Sequence, residues 1–289
     1  MEFYSQNGSK RPVRLSEQTR RFAHDSLNRK YGLDTLKTMH VSLDDVEDFN
    51  GRSALKKYDL AIMKIVETAP IRICEGEKIS GAATLGLAIQ HYVPATYNGK
   101  SIFSSISHLT VDFETVLKEG INAIKIKAMQ SYEKYKGSEK EAFIVSCLHC
   151  IKAFEVWHSR YLDALQDQSD YQQNYKNLKR VPFEPATSFH EAVQSIWFTF
   201  AFLRLCGNWP GIGRIDYLLG EYLKKDLANG NLTIEKAREI LAHFFIKGRE
   251  WVNGQFIGSG DAQHYGLSRI YQHERRSASE SLHQSSIPH

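Results

Sequence analysis

The chain has few cysteines and no long apolar run, and each shortage removes a class of protein. Its 289 residues include only four cysteines, Cys74, Cys147, Cys150 and Cys206. That is too few, and too unevenly spaced, for a secreted disulfide framework, so reduced thiols are expected. No stretch reaches the roughly 18 uninterrupted apolar residues that a membrane-spanning helix needs. The opening MEFYSQNGSKRPVR has basic residues without an apolar segment behind them, so no secretory leader is read there and a cytoplasmic protein is expected. Charge of one sign is also scarce, since 37 basic residues face 33 acidic ones for a net +4. The two signs alternate along the chain and form no basic stripe, which argues against nucleic acid as a partner.

What is present reads mostly as helix. After Asn50 and Ser53, the apolar residues Leu55, Tyr58, Ile62, Ile65 and Val66 recur three and four apart and share one helical face, which Pro70 ends. The stretch IRICEGEKISGAATLG, broken by Gly76, Gly81 and Gly86, suits strands and tight turns. A second helix runs from Asp112 to about Lys136, with Thr110 or Asp112 as its N-cap, Val116, Leu117, Ile121, Ile124 and Ala128 on one side and Gly137 as its stop. Ser138 and Glu141 form a capping box before a third helix, whose expected buried stripe is Phe143, Cys147, Cys150, Phe154, Trp157, Tyr161 and Leu165.

Ser188 and Glu191 repeat that box ahead of EAVQSIWFTFAFLRL, which is apolar on nearly every side and so belongs inside something large. A further helix closes at Asn229-Gly230, and Thr233 caps the last, IEKAREILAHFFIKGREW. Residues 266–289 differ in kind: six of the 24 are Ser and large apolar residues are sparse, so a disordered tail is expected after a domain spanning 1–265.

Candidate site residues are few. Cys147 and Cys150 have the spacing of zinc ligands, but no second pair follows and both lie in a helical stripe, so they are read as packing residues. His149 and His158 lack the i, i+4 relation of a metalloprotease helix and are read as surface residues. Arg214 and Asp216, after the glycine-rich CGNWPGIG, are read as a structural ion pair fixing two elements. His108, in FSSISHLTVD, precedes a helix start where exposed N–H donors can meet a small anion or hydroxyl. It is the candidate ligand contact, and no metal site is expected.

The succession PIRICEGEKISGAATLG, SHLTVDFETVLKEGINAIK, TSFHEAVQSIWFTFAFL and GIGRIDYLLGEYLKKDLANGNLTIEKAREILAHFFIK resembles, in order and content, the N-terminal half of pyruvate formate-lyase-like glycyl radical enzymes. The resemblance covers roughly residues 50 to 250. It implies a mainly α fold with some β, in which an N-terminal helical region is followed by part of one half-barrel of the family's α/β barrel. It also implies a homodimer acting on a small-molecule substrate. A partner activating enzyme, using S-adenosylmethionine and an iron–sulfur cluster, makes a glycyl radical on the protein. That radical passes to a cysteine, whose thiyl form attacks the substrate, and His108 falls in a block that approaches the substrate in dehydratase-like members.

The family's central Gly-Cys pair and its C-terminal Arg-Val-x-Gly-aromatic segment are not seen in these residues. The similarity stops after FIGSGDAQHY, as a frameshift, premature end or gene remnant would make it. The reading is therefore an N-terminal fragment that binds no cofactor and is inactive alone. Two alternatives stand beside it: a non-catalytic module that docks on a full-length enzyme or its activator, and an all-helical interaction protein without radical ancestry. A missing half-barrel should leave the apolar helix at 191–205 exposed.

Overall fold

The computed structural model describes residues 14–27, 43–69, 71–82, 96–97, 100–101, 110–205 and 210–248. Eight helices carry these residues: α1 (Glu17–Leu27), α2 (Ala54–Thr68), α3 (Phe113–Tyr135), α4 (Glu141–Leu165), α5 (Gln172–Leu178), α6 (Phe189–Leu205), α7 (Ile215–Ala228) and α8 (Ile234–Lys247). The expected half-barrel is not found among them. Their only ladder is a two-residue antiparallel pair, β1 (Thr96–Tyr97) with β2 (Lys100–Ser101), and Thr110 makes a single parallel bridge to Gly211. The fold class read from the sequence is corrected accordingly: the described part is helical. The reason lies in residues 71–82, which are non-helical but pair with no strand, because side chains of neighbouring helices take their backbone hydrogen bonds.

Local chemistry starts the helices where the sequence places them. Ser53 accepts from the Lys56 N–H, Asp112 from the Thr115 N–H, Ser188 from the Glu191 N–H and Thr233 from the Lys236 N–H. At the α4 start the expected box is rearranged. Glu141 accepts from the Gly137 N–H at 2.6 Å, and the Ser138 hydroxyl donates to the Tyr135 carbonyl.

Helix α6 organises the core. All but His190 and Leu203 of its 17 residues are buried, so the helix expected to be left bare by a missing half-barrel is covered. Against it lies α4, where Phe154 stacks on Phe202 at 4.2 Å between centroids, Trp157 on Phe198 at 4.6 Å, and Tyr161 meets the Phe198 edge at 5.2 Å. The expected stripe of α4 is thus buried from Phe154 to Leu165, but its first member, Phe143, is 63% exposed and Ile144 turns inward instead. His158, read as a surface residue, is buried too, with its Nε2 2.6 Å from the Leu178 carbonyl.

The long helix α3 is interrupted at Gly120, whose φ of 78° and ψ of 164° lie outside the helical region. The chain from Pro182 to Ala186 fits into this break. The Ile121 and Asn122 N–H groups donate to the Pro182 and Phe183 carbonyls, and the Ala186 N–H donates to the Leu117 carbonyl. A Cβ at Gly120 would sit 2.3 Å from the Phe183 oxygen, whereas one at Gly137, also at φ 78°, would meet nothing within 4 Å. Gly120→Ala should therefore cost roughly 3 kcal/mol or more, from strain plus a backbone clash, and Gly137→Ala only about 1 kcal/mol. Urea unfolding of the two variants checks this, and equal losses would contradict the packing at Gly120.

Candidate functional site

Residues 71–82 pass between α4, α5, α6 and α8, and side chains hold them from every side. Tyr161 of α4 bonds the Arg72 carbonyl through its hydroxyl at 3.4 Å. Tyr171 donates to the Cys74 carbonyl and accepts from the Gly76 N–H, each at 3.3 Å. From α6, Gln194 accepts from the Ser80 N–H and donates to the Ser80 carbonyl, both at 2.8 Å, and the Trp197 indole donates to the Gly81 carbonyl at 2.9 Å. His190 bonds the Lys78 carbonyl at 2.7 Å. Each is a polar group of a buried or partly buried helix spent on backbone that a sheet would otherwise have satisfied.

Glu77 is the hub. Its carboxylate accepts from the Cys74 N–H at 3.1 Å, the Ser80 hydroxyl at 2.9 Å and the Lys247 ammonium at 2.5 Å. The Glu77 and Lys247 side chains are both fully buried. Burial pushes the Glu77 carboxyl up from its ordinary value, and the charge and bonds of Lys247 oppose that. Asn174 extends the cluster by donating to the Ser80 hydroxyl at 2.9 Å. With its acceptors filled and no exposure to water, this centre fixes backbone and is not placed to react.

Beside it opens a cleft of about 1360 Å³, bounded by α1, residues 75–78, α5, the start of α6 and the α7–α8 turn. His243 of α8 sits behind this wall. Its Nδ1 accepts from the Lys78 N–H at 3.3 Å, which leaves the proton on Nε2, 3.0 Å from the Thr19 hydroxyl oxygen. Thr19 in turn donates to Glu239. Burial, with Lys78, Lys247 and His190 adding positive charge nearby, drives His243 down to about 3. It is held neutral.

The residues singled out from the sequence fall elsewhere. His108 and Cys206 lie outside the described residues, as does the stretch 266–289. Arg214 and Asp216 form a two-bonded pair at 2.8 and 2.5 Å within the first turn of α7, 78% and 68% exposed. Cys74 is buried in the held segment. On α4, burial raises the Cys147 thiol and drives Cys150 up to about 12, with the Asp59 charge adding to both. Asp59 accepts from the Ser146 hydroxyl at 2.5 Å and lies 3.0 Å from His149 Nδ1. No group of three His, Cys, Asp or Glu among the described residues could hold a metal, and none of the described helices is long and apolar enough to cross a membrane. Sequence reading missed Glu77, Lys247 and His243; the charged residues between the apolar pieces of IRICEGEKIS and the basic end of the Phe-Phe-Ile-Lys run were the available signals.

Three histidines, His158 and His243 buried and His190 partly buried, give the fold an acid limit. His158, His190 and His243 are all lowered from 6.5, burial being the first cause in each. A folded-state value below the unfolded one means that the unfolded chain binds more protons. Their stabilisation is complete above 6.5 and drains away as pH falls below it. The raised Glu77 has the opposite sign: it favours folding as pH falls through its raised folded value toward 4.5, and so offsets part of the histidine loss. Denaturant unfolding should thus show stability falling as pH drops below about 6.5, with His243, driven down to about 3, contributing a slope approaching about 1.4 kcal/mol per pH unit. His243→Gln should reduce that slope, and stability that is flat or rises toward pH 5 would contradict the neutral assignment.

Comparison with known proteins agrees with this architecture. The chain is 29% identical over 190 residues to the isethionate sulfite-lyase of Bilophila wadsworthia, which covers 59% of this chain and 23% of that protein. The glycerol-bound B12-independent glycerol dehydratase of Clostridium butyricum superposes with a TM-score of 0.68 at 20% identity, over 87% of this chain and 42% of the dehydratase. Hydroxyproline dehydratase of Clostridioides difficile gives 0.61 at 16% identity, over 80% and 40%. These two share the fold. The chain spans about a quarter of the length of the curated relatives it matches. The Pyruvate formate lyase-like family profile matches residues 89–262, well over half of the chain, and the chain belongs to that family.

Proposed function

We propose that these residues are the helical scaffold of a glycyl radical enzyme, a lyase or dehydratase acting on a small oxygenated metabolite, and that they do not themselves hold the radical. The observation that carries this is the setting of the cysteines. A thiol that relays a hydrogen atom must face both the radical glycine and the substrate. Cys74 is 1% exposed within the held segment, and Cys147 and Cys150 sit in the α4 stripe beside Asp59 with their thiols pushed up by burial. These three do not fit the radical relay, so no step is routed through them.

On this reading the glycyl radical is made by an activating enzyme that uses S-adenosylmethionine and an iron–sulfur cluster, and the working enzyme is a homodimer. The contribution of this part is to present the block that carries His108 to the substrate. The match at 89–262 includes that block, and the relatives named isethionate sulfite-lyase and indoleacetate decarboxylase fit a bond-cleaving reaction on a small molecule. One observation favours the second reading, a folded non-catalytic module that docks on a full-length enzyme: nearly all of α6 is already buried.

Incubated anaerobically with a competent activating enzyme and S-adenosylmethionine, the 289-residue chain should give no glycyl doublet in electron paramagnetic resonance and no turnover of isethionate or glycerol. A doublet, or an activity abolished by one Cys→Ser change that leaves the fold intact, would overturn the proposal.

A further inference from the structure

Helix α1 is held differently from the rest of the molecule. Its sequence, EQTRRFAHDSL, is mostly polar, and among its described side chains Phe22 is the one large apolar group that is buried. Its partner is α8, and the attachment is polar. The Ser16 N–H and hydroxyl donate to Glu239 at 2.6 and 2.9 Å, Thr19 donates to the same carboxylate, and His243 Nε2 lies 3.0 Å from the Thr19 oxygen. Phe22 stacks on the His243 ring at 4.4 Å. An adjoining stripe of α8 buries Ala237, Ile240, Phe244 and Lys247, and Lys247 is tied to Glu77, so α8 has attachments independent of α1.

The same short helix supplies one wall of the cleft, through Glu17, Gln18, Arg21, Phe22 and Asp25. The facing wall, from Gly76 to Lys78, is locked down by Tyr171, His190 and the Glu77–Lys247 pair. Among the described residues, that wall is tied down on several sides, while α1 meets α8 through Glu239, the Thr19–His243 hydrogen bond, the Phe22–His243 stack and the Arg238 guanidinium on the Arg14 carbonyl. Elements with few buried apolar contacts open first, at a lower free energy than the core.

We propose that α1 is a detachable strap, latched on α8 by Glu239 and by the Phe22–His243 stack, whose opening as a unit widens the cleft and uncovers His243 and Lys78. The motion needs no change in α4, α6 or α8.

Native-state hydrogen exchange on the full chain at neutral pH tests this. The α1 amides should be protected at least about 100-fold less than those of α6. Glu239→Gln, which weakens the latch, should speed α1 exchange by about a further tenfold and leave α6 unchanged. Glu235→Gln, on an exposed position of α8, should leave α1 as it was. Exchange of α1 at the same rate as α6 would overturn the proposal. So would an unchanged α1 in Glu239→Gln, or a loss of protection in that variant shared equally by α1 and α6, since either makes α1 part of one cooperative unit.

Discussion

Burying backbone that is neither helix nor sheet leaves each N–H and C=O in search of a partner, and an unpaired one costs about 1–3 kcal/mol. Residues 71–82 impose that demand on the whole molecule. Their partners are side chains drawn from α4, α6, α8 and the turn before α5, so those elements are fixed relative to one another by the polar groups they lend to a shared stretch of chain. Glu77 completes the arrangement because a carboxylate can accept several bonds at once, and Lys247 makes its burial tolerable by supplying the opposite charge. The apolar packing of α4 on α6 gives the energy, and the polar grip gives the register.

A gradient of rigidity follows from this arrangement. The centre combines aromatic stacking with filled hydrogen bonds, from Phe154 and Trp157 across to Phe198 and Phe202. The periphery is lighter. Helix α7 buries only Leu219 and Asp226, the latter accepting from the Phe189 N–H at 2.7 Å and so capping α6 from a neighbouring helix. Helix α1 is mostly polar and meets α8 through hydrogen bonds to Glu239 and His243 and through the Phe22–His243 stack.

Helix starts were mostly legible in the sequence because a cap is decided within four residues: Ser188 and Thr233 cap as read, Asp112 is one of the two candidates read, and a helix does follow Ser53, whereas the Ser138–Glu141 box is rearranged. The near-continuous apolar character of α6 also correctly placed it in the interior. What was not legible depends on distant partners. Glu77 and Lys247 are 170 residues apart, and nothing local marks either as the mate of the other. Gly120 sits in an uninterrupted apolar period, and only the arrival of Phe183 explains why that helix breaks there. The error about residues 71–82 is of the same kind: short apolar pieces between glycines show that a helix is absent, yet not whether strands or side chains take the hydrogen bonds. The family resemblance was legible for another reason, since it rests on the order of whole blocks and not on any one contact.

The account stands or falls on the grip centred on Glu77, and a double-mutant cycle between Glu77→Gln and Lys247→Met measures it directly. Each single change should destabilise the chain by about 3–5 kcal/mol, because each leaves a buried group without its counterpart, and the double variant should lose at least about 2 kcal/mol less than the sum. Two singles near neutral, or losses that add within about 0.5 kcal/mol, would show that the pair does not hold residues 71–82 in place.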